Sequence, residues 1–344
     1  MKKPKLTFII ICLLIIHIIL FMVLLQNPKN NNSIDKKTID NNLLIISNNV
    51  TGLKMKSSKT TIYTPSKEIG CVRVDRENRK TTKNFRKLTH DPYHGAIVID
   101  AISGKILFEK HASSFCYPAS VTKLMTLLIT LEAIDRGEIS KNDRIHINSE
   151  ISGVGGSQLY LDPRETDFTV EDMLYGIMVH SANDAARALS IHIAGSKNAF
   201  VKLMNNKAKN LGMNSTIYYS EHGLPPENDN KQPDISTPYD MALLALACLR
   251  HPETLNYTSK ELIYLGKRQV MCVTRNALTK KIGGYIGCDG LKTGFIDRGG
   301  WSLIATASRN NQRIVSVVLG CKERDVRDSI SRNLLDKGFE LIEN

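Results

Sequence analysis

From residue 120 the apolar positions Val121, Leu124, Met125, Leu128 and Leu131 recur at helical spacing, and Leu127 and Ile134 fill the remaining faces. The pattern predicts a helix buried nearly all round, stopped by Asp135, Arg136 and Gly137. A second helix is predicted after Thr169, with Asp172 as its capping partner, running to Val179; a third spans about 184–194. His180, Ser181, Ala182 and Asn183 fall in the break between them. Further helices fit 199–211, 239–249 and 325–341. Strand patterns flank this helical middle: 96–100 and 105–108 around the turn 101–104, then 289–294, 301–308 and 313–320, the last two joined by the polar turn 309–312. Strands at both ends enclosing helices predict an α+β fold, an antiparallel sheet flanked by helices.

Ahead of this pattern, residues 8–25 are apolar except for His17. At about 1.5 Å per residue they are long enough for a transmembrane helix. Gln26, Asn27 and Pro28 follow in place of a small-x-small cleavage site, so an uncleaved anchor is expected. Lys2, Lys3 and Lys5 on one side nearly balance Lys29, Lys36 and Lys37 on the other, which leaves the orientation open. The chain divides into a tip and anchor (1–26), a linker rich in Asn, Lys and Ser with an ambiguous segment behind it (27–85), and a folded domain (86–344).

The 344 residues, 42% apolar and 23% charged, have the make-up of a globular protein. A formal charge of +12 suits an anionic partner such as an acidic membrane face or wall polymer, or simply a solvated basic surface. No aromatic-interleaved basic patch or zinc-finger spacing points to nucleic acid. Seven cysteines show no C-x-x-C or Cys/His ligand pattern, so neither a metal nor a disulfide is assigned.

Three short motifs carry chemistry. Ser120-Val121-Thr122-Lys123 places a serine and a lysine three apart at a helix start, on one face, where the amine can take the hydroxyl proton once burial or a second cation has lowered its pKa. Taken alone, the pair also fits an ordinary N-cap with a surface lysine, and Ser33-Ile34-Asp35-Lys36 in the linker matches the same spacing without a scaffold. Ser181-Ala182-Asn183 offers a proton-relaying hydroxyl and an amide; Ser-x-Asn also occurs at Ser140, Ser196, Ser308 and Ser331, but Ser181 lies in a break between helices. Lys292-Thr293-Gly294 sits on a predicted strand, where the first two can bind a carboxylate, or where the lysine can serve as an edge gatekeeper. Gly294 would let a peptide backbone approach the strand.

In this order the three motifs match a signature of penicillin-binding proteins and class A β-lactamases. The stretches GAIVIDAISGKILFEK, PASVTKLMT, TVEDMLYGIMVHSANDAARALS, NNKAKNLGM, HGLP and DGLKTGFIDRGGWSLIATA carry the resemblance over about 95–320. The sequence resembles the low-molecular-mass D-alanyl-D-alanine carboxypeptidases, serine peptidases with a penicillin-binding catalytic domain. The resemblance implies a β-lactamase/transpeptidase-like fold with a helical subdomain. It also implies Ser120 as nucleophile, Lys123 as general base, Ser181 as proton relay and Asn183 as a holder of the substrate amide. Lys292 and Thr293 would bind the terminal carboxylate, and the N–H groups of Ser120 and Phe295 would form the oxyanion hole. No cofactor is implied.

The expected partners are peptidoglycan stem peptides and β-lactams, with the domain outside the cytoplasmic membrane. Many family members add a β-rich domain and a C-terminal amphipathic helix, whereas this chain ends soon after its last predicted strand; tethering by the N-terminus is expected instead. An endopeptidase or transpeptidase using the same residues is the main alternative. A β-lactamase would need a glutamate-activated water, and no such glutamate motif follows Ser181. A non-catalytic β-lactam sensor would need more than the few residues ahead of the span.

Overall fold

The computed structural model describes residues 82–85, 91–225 and 233–343. The apolar run 8–25, read above as a span, lies outside them, as does most of the linker. Among the described residues no helix is long and apolar enough to cross a membrane. The chain runs through β1 (Thr82–Phe85), β2 (Gly95–Asp100), β3 (Ile106–Lys110), β4 (Ser114–Phe115), a 3-10 turn (Ala119–Thr122), α1 (Lys123–Asp135), α2 (Ser149–Ser152), α3 (Val170–Tyr175) and a π turn (Gly176–His180). There follow α4 (Asn183–Ala194), α5 (Lys197–Asn210), α6 (Pro238–Leu249), α7 (Thr254–Thr258), β5 (Leu262–Leu265), β6 (Val270–Val273), β7 (Cys288–Ile296), β8 (Gly300–Arg309), β9 (Gln312–Cys321) and α8 (Arg324–Glu343).

Five strands form one antiparallel sheet in the order β3-β2-β9-β8-β7. Its strands β2, β8 and β9 are buried along nearly their whole length because both faces are covered. Ile97 and Ile99 of β2 and Val315, Val317 and Leu319 of β9 face the core shared with α1 and α6. Ala96, Val98, Leu303, Ala305, Ile314 and Val318 face Leu334, Leu335 and Phe339 of α8. Helices α1 and α6 are buried along almost their whole length, which is why neither shows a polar face.

Local signals set several boundaries. Thr169 and Asp172 form a reciprocal capping box at the start of α3, with Thr169 N–H donating to Asp172 Oδ2 at 2.9 Å and Asp172 N–H to Thr169 Oγ1 at 3.1 Å. The β8–β9 hairpin turns through Asn310 and Asn311, both left-handed (φ 49 and 63), the conformation that matches the twist of the flanking strands.

Other features depart from the sequence reading. β1 lies in the ambiguous segment behind the linker and pairs in parallel with β4, so regular structure is present ahead of residue 86. The β5–β6 hairpin was not anticipated, because its outward residues Leu262, Tyr264, Met271 and Val273 are as apolar as its inward ones and leave no alternation to read. The five described cysteines, Cys116, Cys248, Cys272, Cys288 and Cys321, are all free thiols.

Leu335, fully buried where α8 meets the sheet, should be costly to truncate. Leu335→Ala is expected to lose about 2–5 kcal/mol in urea denaturation, and Ile282→Ser, at a side chain 91% exposed, less than about 0.5 kcal/mol.

Candidate active site

Ser120 sits in the 3-10 turn that precedes α1, and three residues per turn bring its side chain over that of Lys123. Lys123 Nζ lies 3.0 Å from Ser120 Oγ and donates to the His222 carbonyl at 2.8 Å. Lys123 is fully buried at 0% exposure. Burial is the main reason its pKa falls to about 7; the charge of Arg275 adds to the fall, while Glu221, Asp234 and Asp184 oppose it. Of the two causes the sequence offered, burial or a second cation, burial is the larger. A neutral amine here offers one N–H to His222 and its lone pair to the Ser120 hydroxyl.

The π turn ends on Ser181 in the left-handed conformation (φ 66, ψ 31), which turns its hydroxyl out of the helix line. Lys292 Nζ donates to Ser181 Oγ at 2.9 Å and to the Thr293 carbonyl at 3.0 Å. Burial, together with the charge of Lys123, holds Lys292 well below its ordinary range. The backbone N–H of Asn183 donates to the Ser157 carbonyl at 2.6 Å, and its Nδ2 to the Gly155 carbonyl at 2.7 Å. Among the described residues its buried Oδ1 has no hydrogen-bond partner. That oxygen keeps unused acceptor capacity beside the cleft.

β7 is an edge strand of the sheet and runs past the Ser120 turn. A Cβ on Gly294 would lie 2.6 Å from the Pro118 carbonyl oxygen and 3.1 Å from Val121 Cγ2, so Gly294 lets the strand close onto the Ser120 turn. This packing requirement stands beside its expected role toward a substrate backbone, since Gly294 also lines the cleft. Phe295 stacks on Trp301, with ring centroids 4.1 Å apart, and stays 42% exposed.

Ser120, Ser181, Asn183, Thr293, Gly294 and Phe295 thus line one cleft of about 370 Å³, with Lys123 and Lys292 buried behind its wall. All eight residues singled out from the sequence come together. Three arginines were not anticipated: Arg275, whose Nη2 donates to Ser157 Oγ at 2.7 Å, and Arg324 and Arg327 at the start of α8 also line the cleft. Nothing local marks them, since each reaches the cleft only through the packing of a distant element.

The segment 220–223 was quoted above only through HGLP. Gly223 (φ 93) has no room for a side chain: a Cβ would stand 1.9 Å from the Ala119 carbonyl oxygen. Asp234 accepts from Thr122 Oγ1 at 2.7 Å and from the N–H groups of Tyr219 and Ser220 at 2.7 and 3.0 Å, and burial raises its carboxyl to about 7.

A serine, a buried amine and a cationic cleft on this α+β framework define a penicillin-binding, transpeptidase-like serine acyl-transfer fold. The chain belongs to the peptidase family S11, D-alanyl-D-alanine carboxypeptidase, whose sequence signature matches residues 86–323. It is 35% identical over 264 residues to the D-alanyl-D-alanine carboxypeptidase DacF of Bacillus subtilis, covering 76% of this chain and 65% of that one. With DacC of Escherichia coli it shares 33% identity over 255 residues, 72% of this chain and 61% of DacC. The chain therefore spans a little under two thirds of the length of these curated relatives. Penicillin-binding protein D2 of Listeria monocytogenes, solved in its ampicillin-bound form, superposes with a TM-score of 0.65 at 32% identity, covering 74% of this chain and all of that one.

Gly223→Ala is expected to cost more than about 2 kcal/mol and to depress labelling of Ser120 by a fluorescent penicillin. Gly283→Ala, also at positive φ but with nothing within 4 Å, should lower stability by only about 1 kcal/mol and leave labelling intact. Thermal melts and labelling rates of the two variants check this.

Proposed function

We propose that the chain is a serine-type D-alanyl-D-alanine carboxypeptidase that removes the terminal D-alanine of peptidoglycan pentapeptides through an acyl-enzyme on Ser120. The observation that carries this reading is the 3.0 Å contact between Ser120 Oγ and a fully buried Lys123 with a pKa of about 7. At that pKa a large share of the amine is neutral at physiological pH and can act as base.

Ser120 Oγ attacks the carbonyl between the two D-alanines while Lys123 takes the hydroxyl proton. The oxyanion is held by the N–H groups of Ser120 and Phe295, donors of a kind typically worth about 10²- to 10³-fold in rate. Collapse of the tetrahedral intermediate breaks the C–N bond. The leaving amine receives the proton from Lys123 by way of Ser181, whose hydroxyl is bonded to Lys292. Thr293, with the Arg275 guanidinium and the Lys292 amine about it, receives the terminal carboxylate, and Asn183 pairs with the substrate amide. Water then attacks the ester with Lys123 again as base, releasing the peptide and restoring Ser120. β-Lactams follow the first half of this path as substrate mimics and acylate the same oxygen.

The same reading places the domain on the outer side of the cytoplasmic membrane, tethered by a single span at residues 8–25. Its support is the length and apolarity of that run and the location of the substrate.

The purified protein should release D-alanine from a pentapeptide ending in D-alanyl-D-alanine, and Ser120→Ala should abolish release. A penicillin-labelled wild type that releases none, but joins the peptide to an added amine or cleaves cross-linked peptides, would assign it to transpeptidation or endopeptidase action. Labelling without any turnover would make it a sensor.

The pH dependence follows from Lys123. Below about 7 the amine is protonated and kcat/KM should fall tenfold per pH unit, with a plateau above. A limb at about 9 or higher would exclude Lys123 as a base of lowered pKa. Lys123→Ala should cost about 10²- to 10⁴-fold in kcat with little change in the fold, as read by circular dichroism.

A further inference from the structure

Lys123 and Thr126 end on one distant segment, and Thr122 ends on Asp234, which in turn holds that segment at Ser220. Thr122 Oγ1 donates to Asp234 Oδ2 at 2.7 Å, Lys123 Nζ to the His222 carbonyl at 2.8 Å, and Thr126 Oγ1 to the Glu221 carbonyl at 2.6 Å. The carbonyls of two consecutive residues, Glu221 and His222, are thereby docked on Lys123 and on the residue three further along. Behind them the Glu221 side chain is 1% exposed and accepts from Arg187 Nε of α4 at 2.5 Å. His222 Nε2 lies 3.6 Å from the same carboxylate oxygen, and Arg187 Nη1 reaches Glu150 of α2 at 3.4 Å.

A buried ion pair is a poor source of stability, because desolvating both groups cancels much of their attraction. The reaction described above makes no use of this one, yet it adjoins the general base. We infer that Glu221, held by Arg187, is a positioning residue for Lys123: its buried carboxylate anchors the segment that presents the His222 carbonyl to Nζ and keeps a standing negative charge behind that carbonyl.

The charged groups around the pair favour this assignment. Burial works against ionising Glu221, and the charges of His222 first and Arg187 second bring its carboxyl below the ordinary range. Burial takes His222 itself down to about 4, so the cation that remains at neutral pH is Arg187, whose Nε donates to the carboxylate. Lys197 of α5 acts on His222 and repels a proton there. Of the three anions that raise Lys123, Glu221 acts most strongly. Asp234, itself raised to about 7, and Asp184, raised by its own burial, are less firmly ionised. Arg275 pushes Lys123 the other way. Removing the Glu221 charge should therefore lower the Lys123 pKa, and a purely structural role would not.

The inference rests on the proposed chemistry at Ser120, and its test separates the two. Acylation of the full chain by a fluorescent penicillin is followed as a function of pH for the wild type, Glu221→Gln and Glu221→Asp. Glu221→Gln, near in shape and without charge, should move the rising limb to lower pH by at least about 0.5 unit. Glu221→Asp, which keeps the charge, should leave the limb within about 0.2 unit of the wild type. Should Glu221→Gln not fold, the Arg187→Met, Glu221→Gln double variant leaves neither member of the ion pair unpaired and should show a smaller shift in the same direction, because the Arg187 charge is lost with it. Limbs that coincide with the wild type, whatever the loss of rate or melting temperature, overturn the inference. No acylation of the folded wild type would instead overturn the proposed function.

Discussion

An amine kept out of water beside a hydroxyl is the constraint on which the rest of this structure turns. Lys123 is useful only if it loses its proton near neutral pH, and desolvation supplies most of that change. Desolvation in turn demands walls on every side. α1 is apolar all round because its Lys123 end must be enclosed by the sheet, by α6 and by the segment 220–223. Gly294 and Gly223 are required by the same enclosure: β7 and the 220–223 segment press so closely on the 118–121 backbone that a Cβ at either position would overlap it. The buried amine still needs hydrogen-bond partners, and the Ser120 hydroxyl and the His222 carbonyl provide them.

The charges are sorted around this amine by sign. On the cleft side lie Lys292, Arg275, Arg324 and Arg327, a cationic collar suited to a carboxylate-bearing substrate. Away from the collar stand Glu221, Asp234 and Asp184, each fixed by its own donors: Arg187 for the first, Thr122 and two backbone N–H groups for the second, and the N–H groups of Leu159 and Leu161 for the third. Both Lys123 and Lys292 are buried in this arrangement, and both have lowered pKa values.

Much of the framework could be read from the chain because it depends on neighbours in sequence. The all-apolar helix after Ser120, the Thr169–Asp172 capping box and the two-asparagine hairpin at 310–311 are matters of local spacing and backbone conformation. The three motifs were legible for the same reason, since a serine and a lysine three apart face each other on any tight helical turn. The β5–β6 hairpin, apolar on both faces, gave no alternation to follow. The left-handed turn at Ser181 follows from a π turn that nothing in residues 176–180 announces.

What the sequence alone determined was thus the identity and order of the reacting groups and the elements that bear them. Only the tertiary structure decided their chemistry. Lys123 meets a carbonyl 99 residues away, and Lys292 meets a hydroxyl 111 residues away. Arg275, Glu221 and Asp234 bear on the amine through elements far from it along the chain. A pKa is a property of what surrounds a group, and those surroundings exist only once the sheet, α1, α6 and the 220–223 segment have closed around it.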